Sequence, residues 1–158
     1  MKELAVWIVS NGGDGVRLEL DGQELIAADF SGTDLRGSAI RNCNLVGASF
    51  EEAELMLADL SGSDISRGNF VQASLLGAVL RGTTLIGANF RSAKLQQAEI
   101  YGADHKKTGR SIPVVVMDSD LSEADFSGAV VDGVDFTRCN TEGAKLKQGK
   151  LVNCKGVD

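Results

Sequence analysis

The residues of this sequence that could carry chemistry are few and widely spaced. The single histidine is His105, and the three cysteines, Cys43, Cys139 and Cys154, form no C-x-x-C pair. A zinc site needs four such ligands together, and a nucleophilic triad needs a histidine beside a serine or cysteine. The spacing indicates neither arrangement. We therefore expect structural roles for all four residues.

Three further patterns might be taken for sites. Asp118, Ser119 and Asp120 lack the remaining ligands of a calcium loop. The glycine-rich residues 11–15 are not followed by the helix and lysine of a phosphate-binding loop. The many aspartates that recur through the chain are expected to face solvent, where neighbouring carboxylates do not imply acid–base catalysis. The sequence thus predicts no enzyme, no cofactor and no metal site.

A five-residue repeat determines how all these residues are positioned. Every fifth residue from 25 to 100 is large and apolar, and we call these residues the centres. Small residues, including all three cysteines, lie two before a centre, Asp or Asn often lies one before it, and Gly often lies two after it. Neither a helix nor a flat strand keeps every fifth residue on one face. The chain must turn once per repeat, so it winds as a solenoid.

The phenylalanines predict how many sides the solenoid has. Four of them recur every 20 residues, and only a path with four five-residue sides stacks them on one face. A fifth aromatic, Phe126, rejoins this column if the chain resumes its register after a break that follows His105. The predicted core ladder is Phe30, Phe50, Phe70, Phe90 and Phe126.

The repeated units resemble a known family. Residues 28–32, 58–62, 88–90 and 124–128 read Ala-(Asp/Asn)-Leu/Phe, most of them ending in Ser-Gly, and are similar to the Ala-(Asp/Asn)-Leu-x-x consensus of pentapeptide-repeat proteins. The resemblance covers roughly residues 18–105 and 114–155. It implies an all-β fold, a right-handed quadrilateral parallel β-helix, here with about six to seven coils. The handedness comes from the resemblance alone.

The predicted organisation has four parts. Residues 1–17 form an N-terminal cap and turn around Trp7, residues 18–105 form coils, residues 106–113 form an exposed excursion, and residues 114–158 form further coils and a tail. Residues 106–120 could form a bulged coil or an excised loop. We favour the bulged coil, with Val114 and Val116 pointing inward, because Leu121 then resumes the column that begins at Leu25.

Function must then lie on the surface. The net charge of −6 argues against direct nucleic-acid binding, and the short apolar run near the N-terminus predicts no membrane span and a cytoplasmic location. We expect a surface for an unknown protein partner. At the C-terminal end coil there are two alternatives: the short tail folds over the last coil, or two rods meet end to end as a homodimer. The candidate surface residues are Ile26, Val46, Met56, Leu57, Leu76 and Ile86, and the candidate loop residues are Lys106, Lys107 and Arg110.

One alternative follows from a branch of the same family. Its quinolone-resistance members resemble a DNA duplex and bind DNA gyrase or topoisomerase IV, and residues 106–111 look similar to their loops. Duplex DNA carries about one charge per 1.7 Å, so a rod about 30 Å long would need about 17 charges. The chain nets −6 and shows no C-terminal dimerisation helix of that branch. The interaction solenoid is therefore the preferred hypothesis.

Overall fold

The computed structural model describes residues 17–157, and the predicted cap around Trp7 lies outside them. The described chain contains no α-helix. Its regular elements are seven short strands and one 3-10 helix, which are β1 (Glu19–Asp21), β2 (Ala39–Arg41), β3 (Lys94–Leu95), β4 (Ala98–Tyr101), β5 (Lys107–Ile112), β6 (Val130–Asp132), the 3-10 helix Leu146–Gln148 and β7 (Lys150–Val152).

Parallel pairing between successive layers builds the solenoid. Away from the insertion, the residue before a centre pairs with the residue 20 positions later, as Glu24 does with Asn44 and Asn44 with Asp64. Most pairings are single bridges because every five-residue side ends in a turn, which leaves no room for a longer strand. Strands β1 and β2, and strands β3, β6 and β7, form the longer parallel ladders.

The corners explain the glycines two after the centres. In most turns the N–H three residues after the centre donates to the centre's carbonyl, as from Ala28 to Leu25 at 3.1 Å. The residue two after the centre has a positive φ, which is 63° at Gly77 and 59° at Leu57. Glycine adopts this conformation without strain, which accounts for its enrichment there.

The core consists of the columns of centres and the small residues beside them. Rings of Phe30, Phe50, Phe70, Phe90 and Phe126 stack with centroids 4.7–5.1 Å apart, close to the spacing of neighbouring strands. Phe126 also meets Phe136 edge-on at 6.2 Å. This aromatic column is fully buried, as are the leucine and isoleucine centres of the other sides between residues 35 and 95.

The break in the repeat is an inserted β-hairpin, which corrects the bulged-coil interpretation. Val79 pairs with Val115 and Thr84 pairs with Asp120, so these partners are 36 residues apart rather than 20 and 16 residues are inserted. Strands β4 and β5 pair antiparallel within the insertion.

The predicted boundaries shift with this hairpin. The coils leave the repeat after Ala98 and not after His105, which is exposed. Val114 and Val116 are both buried, and Leu121 lies in the Leu25 column. The hairpin pairs the backbone of the inserted residues internally, between β4 and β5.

Candidate functional site

The histidine and cysteine residues lie in separate parts of the described chain. Within residues 17–157 no group of three or more His, Cys, Asp or Glu could hold a metal ion. His105 lies in the turn of the hairpin. Burial raises the pKa of the thiols of Cys43 and Cys139, which makes them less reactive. These cysteines fill small core positions, and their thiols donate to backbone carbonyls.

The motif at 118–120 is structural as well. The Asp118 carboxylate lies between the guanidinium groups of Arg138, at 2.5 Å, and Arg81, at 3.7 Å. The hydroxyl of Ser119 is buried and donates to the carbonyl of Leu80. These contacts tie the layer after the insertion to the layers on either side of it.

The recurring aspartates cap the turns. The carboxylate of the residue before a centre accepts the N–H of the residue after it, as Asp125 does from Ser127 at 2.9 Å. Hydrogen bonds from the side chain and backbone of Ser127, helped by Lys145, lower the pKa of Asp125 to about 2. The same kind of bond lowers the pKa of other aspartates in equivalent positions, Asp29, Asp120 and Asp135. The Asp or Asn preference in the repeat is therefore a folding signal.

The hairpin is seated on one face of the solenoid, at Gly77. A Cβ placed on Gly77 would lie 2.9 Å from Cδ2 of Leu57, 3.0 Å from Cβ of Ala98 and 3.2 Å from the carbonyl oxygen of Ile112. The base of the hairpin thus packs over Gly77 and against Leu57. The hydroxyl of Ser111 donates to Oε1 of Gln97 at 2.7 Å and fixes the second strand to the same face.

We call this region the hairpin face: the 56–57 and 76–77 corners together with residues 98–112. It includes two groups of predicted residues, those of the corners and those of the hairpin loop. Leu57 is 42% exposed, Met56 and Leu76 are half-buried beside it, and the loop residues Lys106, Lys107 and Arg110 lie on the hairpin and are exposed.

Two hairpin residues on this face escaped the sequence analysis. Tyr101 is 57% exposed and Ile112 is 39% exposed, and both lie on the paired strands. The sequence places Ile100 in the repeat, so Tyr101 was expected to follow a core centre. An alternation of apolar and polar residues could not reveal β5, because all six of its residues are exposed.

The remaining candidates lie on another side. Ile26, Val46 and Ile86 follow centres of one column and are linked through Ser66 by backbone bonds from one layer to the next. Ile26 is 61% exposed and Ile86 is 39% exposed, while Val46 is half-buried. This apolar column is interrupted by Ser66 and receives nothing from the hairpin.

The hairpin carries more basic than acidic side chains. Lys107 lies 3.7 Å from Glu99 and Lys106 lies 3.8 Å from Asp104, both as exposed pairs. Arg110 is exposed, and its backbone N–H is bonded to the hydroxyl of Thr108. Residues 98–112 contain three Lys or Arg and two Asp or Glu, a net of +1 on a chain of net −6. The hairpin is thus a local basic projection beside exposed apolar side chains.

The comparisons with known proteins agree with this fold. A family model for pentapeptide repeats matches eight copies over residues 35–72, 73–104 and 119–155. The chain belongs to the pentapeptide-repeat family. No curated protein sequence matches it significantly.

Several solved structures are similar in fold. A trypsin-treated form of QnrB1, a plasmid-mediated fluoroquinolone resistance protein, is 21% identical over 89% of this chain and 91% of its own, with a TM-score of 0.45. A pentapeptide repeat protein from the thylakoid lumen of Arabidopsis thaliana is 29% identical over 71% of this chain and 63% of its own, with a TM-score of 0.34. Rfr23 from the cyanobacterium Cyanothece 51142 is 19% identical over 94% and 98%, with a TM-score of 0.41.

Within residues 17–157, no helix has the length and apolar character needed to cross a membrane.

Proposed function

We propose that this protein is a non-enzymatic solenoid, a right-handed quadrilateral β-helix of six to seven coils, that binds a protein partner through the hairpin face. The observation that carries the proposal is the convergence of Leu57, Ala98 and Ile112 at Gly77. This contact holds a basic projection beside an exposed apolar patch. Both features lie outside the core, so the fold itself needs neither.

The chemistry of the face suggests the partner. Exposed Leu57, Tyr101 and Ile112 can bury apolar area, and aromatic and arginine side chains are frequent at the centres of interfaces. Lys106, Lys107 and Arg110 would speed association with an acidic surface. We therefore expect a protein partner with an apolar patch bordered by Asp or Glu. The proposed location of the solenoid protein is the cytoplasm, where its three free cysteines stay reduced.

A deletion can test this proposal without disturbing the solenoid. Removing residues 99–114 joins Ala98 to Val115 and restores the uninterrupted five-residue spacing from Leu95 through Val116 to Leu121. We expect the deletion variant to keep the circular dichroism of the native chain and to lose the partners that the intact protein captures from its host. The Leu57→Asp variant should lose the same partners, and Ile26→Asp, on the other face, should keep them. Unchanged capture by both hairpin-face variants would refute the proposal.

The DNA-mimic alternative gains no support from the described surface. Several half-buried carboxylates on the surface are paired with cations one layer away, as Asp59 is with Arg41 at 2.6 Å and Asp125 with Lys145 at 3.2 Å. A supercoiling assay with gyrase, with and without quinolone, provides the direct test. Neither inhibition nor protection is expected at high molar excess.

A further inference from the structure

One side of the rod is strongly acidic. We call it the acidic side: it consists of the outward residues on either side of each centre in the column that begins at Leu25. It carries five Asp or Glu and one Arg, a net of −4 on a chain of net −6, and these residues are Glu24, Asp64, Arg67, Asp120, Glu123 and Glu142. None of the five carboxylates forms an ion pair among residues 17–157.

On other sides the rod pairs its carboxylates from layer to layer. Nε of Arg41 lies 2.6 Å from Oδ2 of Asp59, and Nζ of Lys145 lies 3.2 Å from Oδ2 of Asp125. In both pairs the cation belongs to the neighbouring layer of the same side. The acidic side has no such pair within the described chain, so its negative charge is left for a cation from outside the rod.

The acidic side also exposes an apolar column. Ile26 is 61% exposed and Ile86 is 39% exposed, with the half-buried Val46 between them. Serine occupies the same position in two other layers, at Ser66 and Ser122, so the turn does not require an apolar side chain there. The fold thus gives no reason for this exposed apolar area.

The hairpin combines the opposite charge with an exposed apolar side chain. Residues 98–112 have a net charge of +1, and the guanidinium of Arg110 has no carboxylate partner in the part of the chain that the structure describes. Ile112 is 39% exposed and follows Arg110 by two residues in β5. Side chains two residues apart point to the same face of a strand, about 7 Å from each other.

The acidic side carries a pair of residues at a similar distance. Thr84 pairs with Asp120, and the N–H of Gly87 donates to the carbonyl of Ser122 at 2.8 Å. Ile86 and Glu123 therefore lie in neighbouring layers, one residue apart in register. One strand spacing and one residue along the strand separate them by about 6 Å. An isoleucine and a cation spaced as in β5 can contact both residues at once.

We infer that the acidic side binds the hairpin of a second copy of this chain, with Ile112 against Ile86 and Arg110 beside Glu123. The inference rests on the proposed function, because the hairpin face is again the docking surface. It names the partner, since the acidic side is itself an apolar patch bordered by Asp and Glu. The two surfaces are complementary in charge, which favours their association over contact between two hairpins or two acidic sides.

The positions of the two surfaces determine the form of the assembly. The hairpin is seated at Gly77, on the corner that ends one side, and the acidic side comes two sides further along a four-sided path. The two surfaces thus lie on opposite walls, and a chain does not fill its own acidic side. Two joined copies keep one hairpin and one acidic side free, so further copies add without closure.

Sedimentation velocity of the 158-residue protein measures this association. We expect the weight-average mass to rise with concentration without a plateau at a dimer, and to fall when salt is raised from about 20 mM to about 500 mM. The double variant I86S/E123R should associate at least about tenfold more weakly, because it loses both contacts. Serine fits the position of Ile86, as in other layers, and Arg67 occupies the position of Glu123 with a similar positive φ.

The matched control is Glu52→Arg. Glu52 is exposed at the same corner position on another side, with a φ of 57° against 60° at Glu123. This variant makes the same change of charge without touching the acidic side, so it should associate as the native chain does. Circular dichroism verifies the folding of every variant.

Two variants that each keep one surface test the pairing directly. The deletion of residues 99–114 keeps the acidic side, and I86S/E123R keeps the hairpin. At concentrations where the native chain associates, each variant alone should be largely monomeric. Their equimolar mixture should form a heterodimer and nothing larger, because each pair has only one hairpin and one native acidic side.

The inference is overturned if the native protein stays monomeric, if the deletion variant associates as the native chain does, or if the mixture forms no heterodimer. Loss of association in the deletion variant together with full association of I86S/E123R would uphold the hairpin face as a docking surface and refute only the acidic side as its receptor. The proposed function fails on a different result, which is unchanged capture of host proteins of other sequence by the hairpin-face variants.

Discussion

The stacked phenylalanines offer the sharpest test of what stabilises the rod, through the substitution Phe70→Leu. The ring of Phe70 lies between those of Phe50, at 5.0 Å, and Phe90, at 4.7 Å, with interplanar angles of 6° and 5°. Leucine fills equivalent centres on the other sides, so it suits this backbone. The substitution removes two ring contacts and a small apolar volume while leaving the repeat intact.

The expected cost follows from these contacts. Each aromatic pair contributes about 0.5–1.5 kcal/mol, and the lost volume about 1 kcal/mol more, so Phe70→Leu should lower the free energy of unfolding by about 2–4 kcal/mol. Phe136→Leu is the matched control. Phe136 is equally buried but has one edge-on ring contact, at 6.2 Å, and should lose about 1.5–2.5 kcal/mol.

Equilibrium urea unfolding, followed by far-ultraviolet circular dichroism, provides the measurement. A double-mutant cycle separates ring contacts from burial: Phe50→Leu with Phe70→Leu should show a coupling of about 1 kcal/mol, whereas Phe30→Leu with Phe70→Leu should be additive, since Phe30 and Phe70 are two layers apart. Coupling below about 0.3 kcal/mol between Phe50 and Phe70, or a cost for Phe70→Leu no greater than for Phe136→Leu, would refute ring stacking as a source of stability.

Three further predictions concern the turns and corners. The pKa of Asp125 is lowered to about 2 in the folded protein. Its carboxylate therefore stabilises the fold above the pKa of an aspartate in the unfolded chain, and this effect is lost as pH falls from about 4 to about 2. The Asp125→Asn variant should fold normally at pH 7 and show a shallower loss of stability in acid titration. Gly77 and Gly82 both have a φ of 63°, but only Gly77 is enclosed by the hairpin. Gly82→Ala should lower the free energy of unfolding by roughly 1–2 kcal/mol through backbone strain, and Gly77→Ala should lower it by more. Urea midpoints compare the two variants, and equal losses would contradict the packing at Gly77. Ser38→Ala should leave stability unchanged or raise it by about 1 kcal/mol, since the buried hydroxyl has no partner in the described chain. Ser63→Ala should lower stability by about 1–3 kcal/mol, because its hydroxyl bridges Cys43 and Ile40. Thermal unfolding compares the two variants, and a loss of stability for Ser38→Ala would contradict an unpartnered hydroxyl at Ser38.

The polarity of the surface shows why function was harder to predict than fold. The repeat pattern shows that a residue lies on the surface but not which other surface residues share its face. Leu57 and Lys107 could therefore be named as candidates, but whether they belong to one face depends on where the inserted hairpin packs. That contact involves Gly77 and Ala98. Many other repeats also have Gly or Ala at these positions, so nothing in the sequence marks these two.

The core could be predicted from the periodicity, because every repeat shows the same local pattern of apolar and small residues. The spacing of five required a turn per unit, and the spacing of 20 between phenylalanines fixed four sides and placed Phe126 above Phe90, where the structure has it at 4.8 Å. The roles of the aspartates were missed, although their position before each centre was visible. Only the turn geometry shows that the carboxylate accepts the N–H two residues later.

Tertiary structure alone decided the form of the break. The sequence around His105 continues the five-residue pattern as far as residue 105, so the repeat gives no sign that the chain leaves the core after Ala98. Strand pairing between Ala98 and Ile112 competes with one more coil and satisfies the same backbone groups, and the two outcomes differ by long-range contacts that spacing does not encode. The spacings of five and 20 residues were enough to predict a four-sided solenoid with an aromatic column. The folded chain showed that the interruption within residues 17–157 is a hairpin packed on the corner at Gly77.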